Sequence, residues 1–362
     1  MRKFLIISFT SEQAFTGGMQ CSLRNIQAIQ TLFGEENVHK YTIQPYKNKR
    51  SIKTIFKRIW DIFNGYMGGL DSNKQNEIIS TINKEQITDV FVDSSLLGTI
   101  VKTIKKNNKN TRVYTFFHNI EYEFVKDHIK VNKDYLRFYW LLLAKFNEKK
   151  ATKYSDKLIS LNYRDSNAIQ NYYNRVPDAI IPITLKDTVG NETQRKIKSE
   201  NKKALFIGSY FFANIQGIKW LCANILPHTN IQLTIVGASM DRIKSEICQS
   251  AQVEIYSNVP DLTPFYEDAD FVLLPILSGS GMKVKTAESL MHGKFIIGTE
   301  EAFRGYDISP EIGISCNSAM EFINTINNLK IEYKFNEASR KLYNDKYSFE
   351  SSLGAFKCIF KI

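Results

Sequence analysis

Residues 274–299, LPILSGSGMKVKTAESLMHGKFIIGT, gather side chains suited to holding a phosphorylated ligand. An apolar strand ends near Pro275, Gly279 and Gly281 flank Ser280, and a helix is predicted from Met282 up to Gly293, with Lys283 and Lys285 in its first turn. Cations there oppose the helix dipole and lie beside backbone N–H groups that lack acceptors. A bound anion removes both problems. Glycines let a ligand approach the backbone, so Ser280, Gly281 and Met282 together with the two lysines describe a phosphate or diphosphate cradle. Glu288 sits one turn deeper, where a carboxylate accepts hydrogen bonds from the vicinal hydroxyls of a ribose. Taken without its surroundings, the segment also reads as a solvated helix start with ordinary surface lysines.

Two places in the first half bear on chemistry. Gly17 and Gly18 stand between a first strand and a helical period over residues 19–29, as either a plain turn or a phosphate-approaching loop. His118 follows the apolar run VYTFF, at the carboxyl end of a strand, which is where open α/β sheets bind ligands. A histidine at that place is a structural strand-end residue or a working one. Asp268 and Asp270 form a D-x-D, but they stand where a strand begins and read as structural, so no catalytic metal is expected.

The elements that position these residues alternate short apolar strands with helical periods, which predicts a parallel sheet wrapped by helices in each half. Strands are expected at KFLIISF, DVFVDSS, RVYTFFH and KLISLN, then at ALFIGS, IQLTIVG, VEIYS, DFVLLPI and KFIIGT. In the second half, helices are expected from near Ile215, Asp241, Thr263 and Met282. Residues 186–203, charged and nearly free of large apolar side chains, read as a linker. The expected organisation is a first domain over 1–185, a second over 204–342, and a C-terminal helix in 343–362 that packs back toward the first domain.

The 362 residues suffice for two cores, and 43% hydrophobic with 23% charged residues excludes a disordered chain. Five scattered cysteines without a CxxC suggest neither a disulfide framework nor a zinc site, so a reducing, cytoplasmic setting is expected. MRKFLIISFT lacks a cleavage site and reads as a buried first strand, and no apolar run reaches the ~20 residues of a membrane span. The net charge of +11 resides wholly in residues 1–185, which hold 28 basic and 17 acidic side chains against 20 of each in the remainder.

The segment around Glu288 resembles the donor-binding motif of family 4 of the retaining GT-B glycosyltransferases, the group 1 type. There a Glu, seven residues and a second Glu precede an apolar helix, a Gly and a strand. Glu288 matches the second Glu and Gly293 the Gly, while Ser280 stands where the first Glu belongs; the pattern is that of a subgroup reading G-S-G-M-K-x-K-x-x-E. ALFIGSYFFANIQGIKW is similar to the turn of the family that passes the phosphates, with Gly208 and Ser209 at that point, and Gly17-Gly18 looks like its glycine loop. Lys219 comes late for a phosphate ligand, so Lys283 and Lys285 are expected to supply that charge. The resemblance implies that His118 lies near the donor sugar, beside Asn119 and Glu121.

The resemblance further implies a GT-B fold, α/β, with two Rossmann-like domains facing each other across a cleft. It implies transfer of a glycosyl unit from a nucleoside diphosphate sugar to a glycan or lipid-linked acceptor, with retention, without metal or resident cofactor, in capsule or lipopolysaccharide biosynthesis. The leaving diphosphate, stabilised by Lys283 and Lys285, would itself take the acceptor proton. A sugar-nucleotide epimerase or hydrolase on the same scaffold, and a non-catalytic partner subunit, stay open as alternatives. Basic-flanked apolar faces at 52–67 and 135–146 add an anionic membrane surface as a candidate partner, placing the protein peripherally on the inner face of the plasma membrane. Nucleic acid is not expected, because no aromatic platform or recognition helix accompanies the charge.

Overall fold

The structure, a computed structural model, describes residues 2–9, 17–44, 59–133, 138–190, 195–197, 201–247, 250–279 and 281–362. The chain divides into two units, Met1–Pro182 with Ser352–Ile362, and Ile183–Ser351. The division at Pro182/Ile183 lies slightly ahead of the 185/186 boundary drawn from the sequence. Part of the expected linker (191–194, 198–200) lies outside the described residues. Its remaining ends belong to the second unit, where Lys196 bridges to Tyr333 and Lys202 and Lys203 open a strand.

The first unit holds a sheet of β1 (Phe4–Ser8), β2 (Val38–Thr42), β3 (Asp89–Val92), β4 (Arg112–Phe117), β5 (Lys157–Ser160) and β6 (Ala179–Ile180). Their order is β2-β1-β3-β4-β5-β6, with every pair parallel. The second unit holds β7 (Lys202–Ile207), β8 (Ile231–Gly237), β9 (Val253–Ser257), β10 (Phe271–Leu274), β11 (Phe295–Gly298) and β12 (Gly313–Ser315), ordered β12-β11-β10-β7-β8-β9 and again parallel. Helices on both faces of a parallel sheet bury each strand twice, and β1, β3, β10 and β11 are accordingly buried at every residue. That is why they stand out in the sequence as unbroken apolar runs.

Both orders are doubly wound, and each has one point where the winding reverses: between β1 and β3, and between β7 and β10. Ligands of such sheets bind at the carboxyl ends of those strands. The structure differs from the sequence expectation mainly at the rims. β2, β6 and β12 are edge strands with polar or partly exposed residues, so no apolar run announces them. The predicted helix at Asp241 is a 3-10 turn, Met240–Ser245, and the one near Ile215 starts earlier, in Phe212–Asn224.

The last helix, Phe349–Phe360, belongs to the first unit from Ser352 onward. Phe360 packs edge-on against Phe4 and Tyr114, with ring centroids 5.2 and 4.9 Å apart. Arg2 donates to the Phe360 carbonyl oxygen and ion-pairs with buried Asp89 at 2.6 Å, which fixes this helix to the start of β3.

Candidate functional site

In the second unit the reversal point brings together the loop after β7, with Gly208 and Ser209, and the loop after β10 that leads into helix Val284–Met291. Lys283 is the N-cap in extended backbone, and no side chain caps the helix start. Gly281 takes a left-handed φ of 64°, and Gly293, at 56°, ends the helix as a C′ residue with its N–H on the Leu290 carbonyl. Those two conformations explain why glycines bracket the helix. Met282 is buried and Ser280 lies outside the described residues.

Lys285 points to the carboxyl end of β7. Its Nζ donates to Asn214 Oδ1, lies 4.6 Å over the Phe206 ring, and would stand 3.0 Å from a Cβ at Gly208. Asn214 also donates to the Ser209 carbonyl oxygen at 2.9 Å, tying the helix Phe212–Asn224 to the same loop. Burial drives the Lys285 ammonium down to about 7, against an opposing pull from Glu288. Glu288, one turn along, is pushed above the usual carboxylate range by burial, with Lys285 opposing. Among the described residues its carboxyl has no hydrogen-bond partner, and it stays partly open to solvent.

Lys283 is placed differently. Its Nζ ion-pairs with Glu301 at 2.7 Å and donates to the Gly281 carbonyl oxygen at 2.8 Å, so this ammonium closes the loop onto the neighbouring segment. Lys219 is likewise engaged, with Glu246 at 3.1 Å. Asp268 and Asp270 are held by Lys203 and Lys334, and Asp270 accepts from the Lys203 backbone N–H at 2.8 Å, so both anchor the start of the strands.

In the first unit the reversal point carries a second cluster. His118 follows β4, and its Nε2 lies 3.1 Å from Oδ1 and 3.1 Å from the carbonyl oxygen of Asp93, the residue after β3. Asn25 donates to the same carboxylate at 2.7 Å, and Ser22 Oγ is 3.5 Å from the imidazole. Cys21, Ser22 and Asn25 come from helix Gly17–Phe33, so Gly17 and Gly18 form its first turn rather than a loop before it. Burial disfavours the imidazolium, yet Asp93 and then Cys21 outweigh it and hold His118 well above its ordinary range. Burial likewise raises the Cys21 thiol, while Arg24 and His118 pull it below its usual value.

Glu121 opens helix Glu121–Asn132 and is raised by burial, and Asn119 donates to it at 3.4 Å. The backbone N–H groups of Glu121 and Tyr122 are taken by buried Glu148, whose carboxyl is carried up to about 7 by burial. Sequence reasoning missed Asp93, Asn25 and Asn214. Asp93 carried a usable signal, since it ends a strand run as His118 does; the other two are polar residues inside helices, visible only once the loops fold onto them.

Residues 201–329 match the family model described as "Glycosyl transferases group 1". A Klebsiella pneumoniae protein described as an uncharacterized 44.6 kDa protein in the cps region is 25% identical, the match covering 60% of this chain and 58% of the relative. This chain thus spans little more than half the length of the curated relative that it matches. The lipopolysaccharide outer core galactosyltransferase WaaB superposes with a TM-score of 0.66 at 12% identity, covering 99% of both chains. A glycosyltransferase from Rickettsia africae gives 0.66 at 14% identity over 99% of this chain and 98% of its own. HepE from Anabaena, solved with UDP-glucose, gives 0.62 at 9% identity over 99% and 100%. The fold is the GT-B architecture of two Rossmann-like α/β domains.

Proposed function

We propose that the protein is a glycosyltransferase that takes a sugar from a nucleoside diphosphate sugar and transfers it to a glycan or lipid-linked acceptor during surface-polysaccharide assembly. The observation that carries this reading is the meeting of Lys285, a helix start without a side-chain cap, and Glu288, whose carboxyl has no hydrogen-bond partner among the described residues, at the reversal point of the second sheet. The group 1 family match over the same residues and the capsule-region relative support it.

In this reading the diphosphate lies against the N-terminus of helix Val284–Met291 and Lys285, and Glu288 receives the ribose hydroxyls. When the bond from the anomeric carbon to the diphosphate oxygen breaks, negative charge grows on the phosphate. Lys285 and the backbone N–H groups of the helix start stabilise it. The acceptor oxygen then bonds to the anomeric carbon on the same face, and the departing phosphate takes the acceptor proton, which retains configuration and requires no metal. Lys283, engaged with Glu301, would hold the loop rather than touch the phosphate. His118, held by Asp93, is assigned to the reacting sugar. We place the protein in the cytoplasm, peripheral to the membrane.

The test is a panel of nucleoside diphosphate sugars scored by thermal shift, then by transfer. A ligand at 100 times its Kd should stabilise by about 2.7 kcal/mol. If none of the panel stabilises the protein, the reading fails.

A further inference from the structure

Away from both sites, the first unit carries a helix pair whose outer face combines bare apolar side chains with unneutralised lysines. Helices Gly98–Asn107 and Phe138–Tyr154 approach so closely that a Cβ on Gly98 would stand 1.8 Å from the Asn147 carbonyl oxygen. The second helix turns Leu141, Ala144, Asn147, Glu148 and Ala151 inward. Its outward i, i+4 row is Phe138, Leu142 and Phe146, with 57, 57 and 45% exposure. A short helix over residues 59–63 lies alongside. It is joined there at Gly65, whose carbonyl oxygen accepts from Asn147 Nδ2 and Thr99 Oγ1 at 3.0 Å each. That segment presents Trp60 and Phe63 at 65 and 83% exposure.

The charge on this face is one-signed. The two helices carry seven lysines, and their one acid, Glu148, is buried beneath them. Lys105 pairs with Asp156, whereas Lys102, Lys106, Lys149, Lys150 and Lys153 form no ion pair among the described residues. Lys150 lies 3.7 Å over the Phe146 ring, so the charge abuts the apolar row. Burial pushes its ammonium down to about 8, and the neighbouring Lys102 and Lys106 add to the fall. Of the two faces singled out in the sequence, residues 52–58 and 135–137 lie outside the described residues.

We propose that this face docks on an anionic lipid bilayer, with Trp60, Phe63 and the Phe138–Leu142–Phe146 row entering the interfacial layer and the lysines meeting headgroups. A soluble acidic glycan would satisfy the lysines but leave five large apolar side chains wet. A bilayer interface takes aromatic and aliphatic groups and anion-seeking lysines at the same depth. No helix among the described residues is long and apolar enough to cross a membrane, so the contact is peripheral. The inference deepens the proposed function by bringing the protein to a lipid-linked acceptor, and it rests on that reading only for its purpose.

The experiment is co-sedimentation of the full chain with vesicles of phosphatidylcholine alone and with added phosphatidylglycerol. Each lysine brought to anionic lipid is worth about fivefold in partitioning, so changing Lys102, Lys106, Lys149 and Lys153 to Gln should lower binding to the anionic vesicles by roughly 100-fold or more. Changing Trp60, Phe63 and Leu142 to Ser should abolish the part of binding that survives 1 M salt. Both variants should melt and bind donor sugar as the parent does, which separates failure here from failure of the proposed function. Parent protein that stays in the supernatant with anionic vesicles, or a lysine variant that binds as the parent does, overturns the proposal. So does binding to dextran sulfate with none to vesicles.

Discussion

If Lys285 receives the diphosphate, donor binding must depend on pH in a form that its position dictates. In the free protein burial holds its ammonium at about 7, with Phe206 against it and Asn214 as its acceptor. A diphosphate brings negative charge to that atom, so the bound lysine is protonated well above pH 7. Protonation therefore accompanies binding, and affinity is highest at low pH and falls as pH rises. Apparent affinity scales with the protonated fraction of the free protein. Relative to the acid limit, with a free value of about 7, it should drop about twofold at pH 7, about elevenfold at pH 8 and about 100-fold at pH 9. The donor phosphates do not titrate in this range, so the profile belongs to the protein. Calorimetry in buffers of different ionisation enthalpy should find roughly half a proton taken up per sugar nucleotide at pH 7 and roughly 0.9 at pH 8. Lys285→Gln should bind more weakly and lose the profile. Flat affinity from pH 6.5 to 9, or an unaltered profile in the variant, would refute the assignment.

Two further outcomes test the remaining site residues. Glu288→Ala should weaken nucleotide-sugar binding by about 1.5–3 kcal/mol without lowering the melting temperature, since its carboxyl has no hydrogen-bond partner among the described residues; unchanged affinity in titration calorimetry removes the ribose assignment. Asp93→Asn should carry the His118 titration, followed by imidazole NMR, down toward the ordinary histidine value, because Asp93 is the chief group holding the proton; in the same series His118→Ala should cut turnover more than donor affinity. A titration that stays in place assigns the raised value to another neighbour.

The sequence is most legible where burial is complete. β1, β3, β10 and β11 are enclosed on both faces, and their composition has no freedom to hide it. Edge strands are decided by pairing with a neighbour that the sequence does not name, as with the two residues of β6 beside β5. The same distinction runs through the sites. Lys285, Glu288 and His118 are singled out as candidates by their distance to a strand or helix end, a local property. Asp93 reaches His118 only because β3 and β4 are adjacent, and Asn214 reaches Lys285 only because β7 and β10 are. Gly17 and Gly18 show the converse: a glycine pair that suggests a turn is helical, since a helix tolerates glycine in its first turn.

Charge pairing separates the two lysines that the sequence treats alike. Both begin one helix, and both oppose its dipole. Lys283 nevertheless has a carboxylate at 2.7 Å, as Lys203 has in Asp268 and Lys219 in Glu246, each within 3.1 Å. Among the described residues Lys285 has only the neutral Asn214 oxygen and an aromatic face, while the carboxylate of Glu288 acts on it without a hydrogen bond. An ammonium in that setting is costly as a cation and short of partners, whereas a paired one is already stabilised. An incoming anion therefore gains far more at Lys285 than at Lys283, which must first give up Glu301. Among the described residues of the second unit, the unmet electrostatic demand thus falls on Lys285, the group to which the proposed function assigns the leaving phosphate.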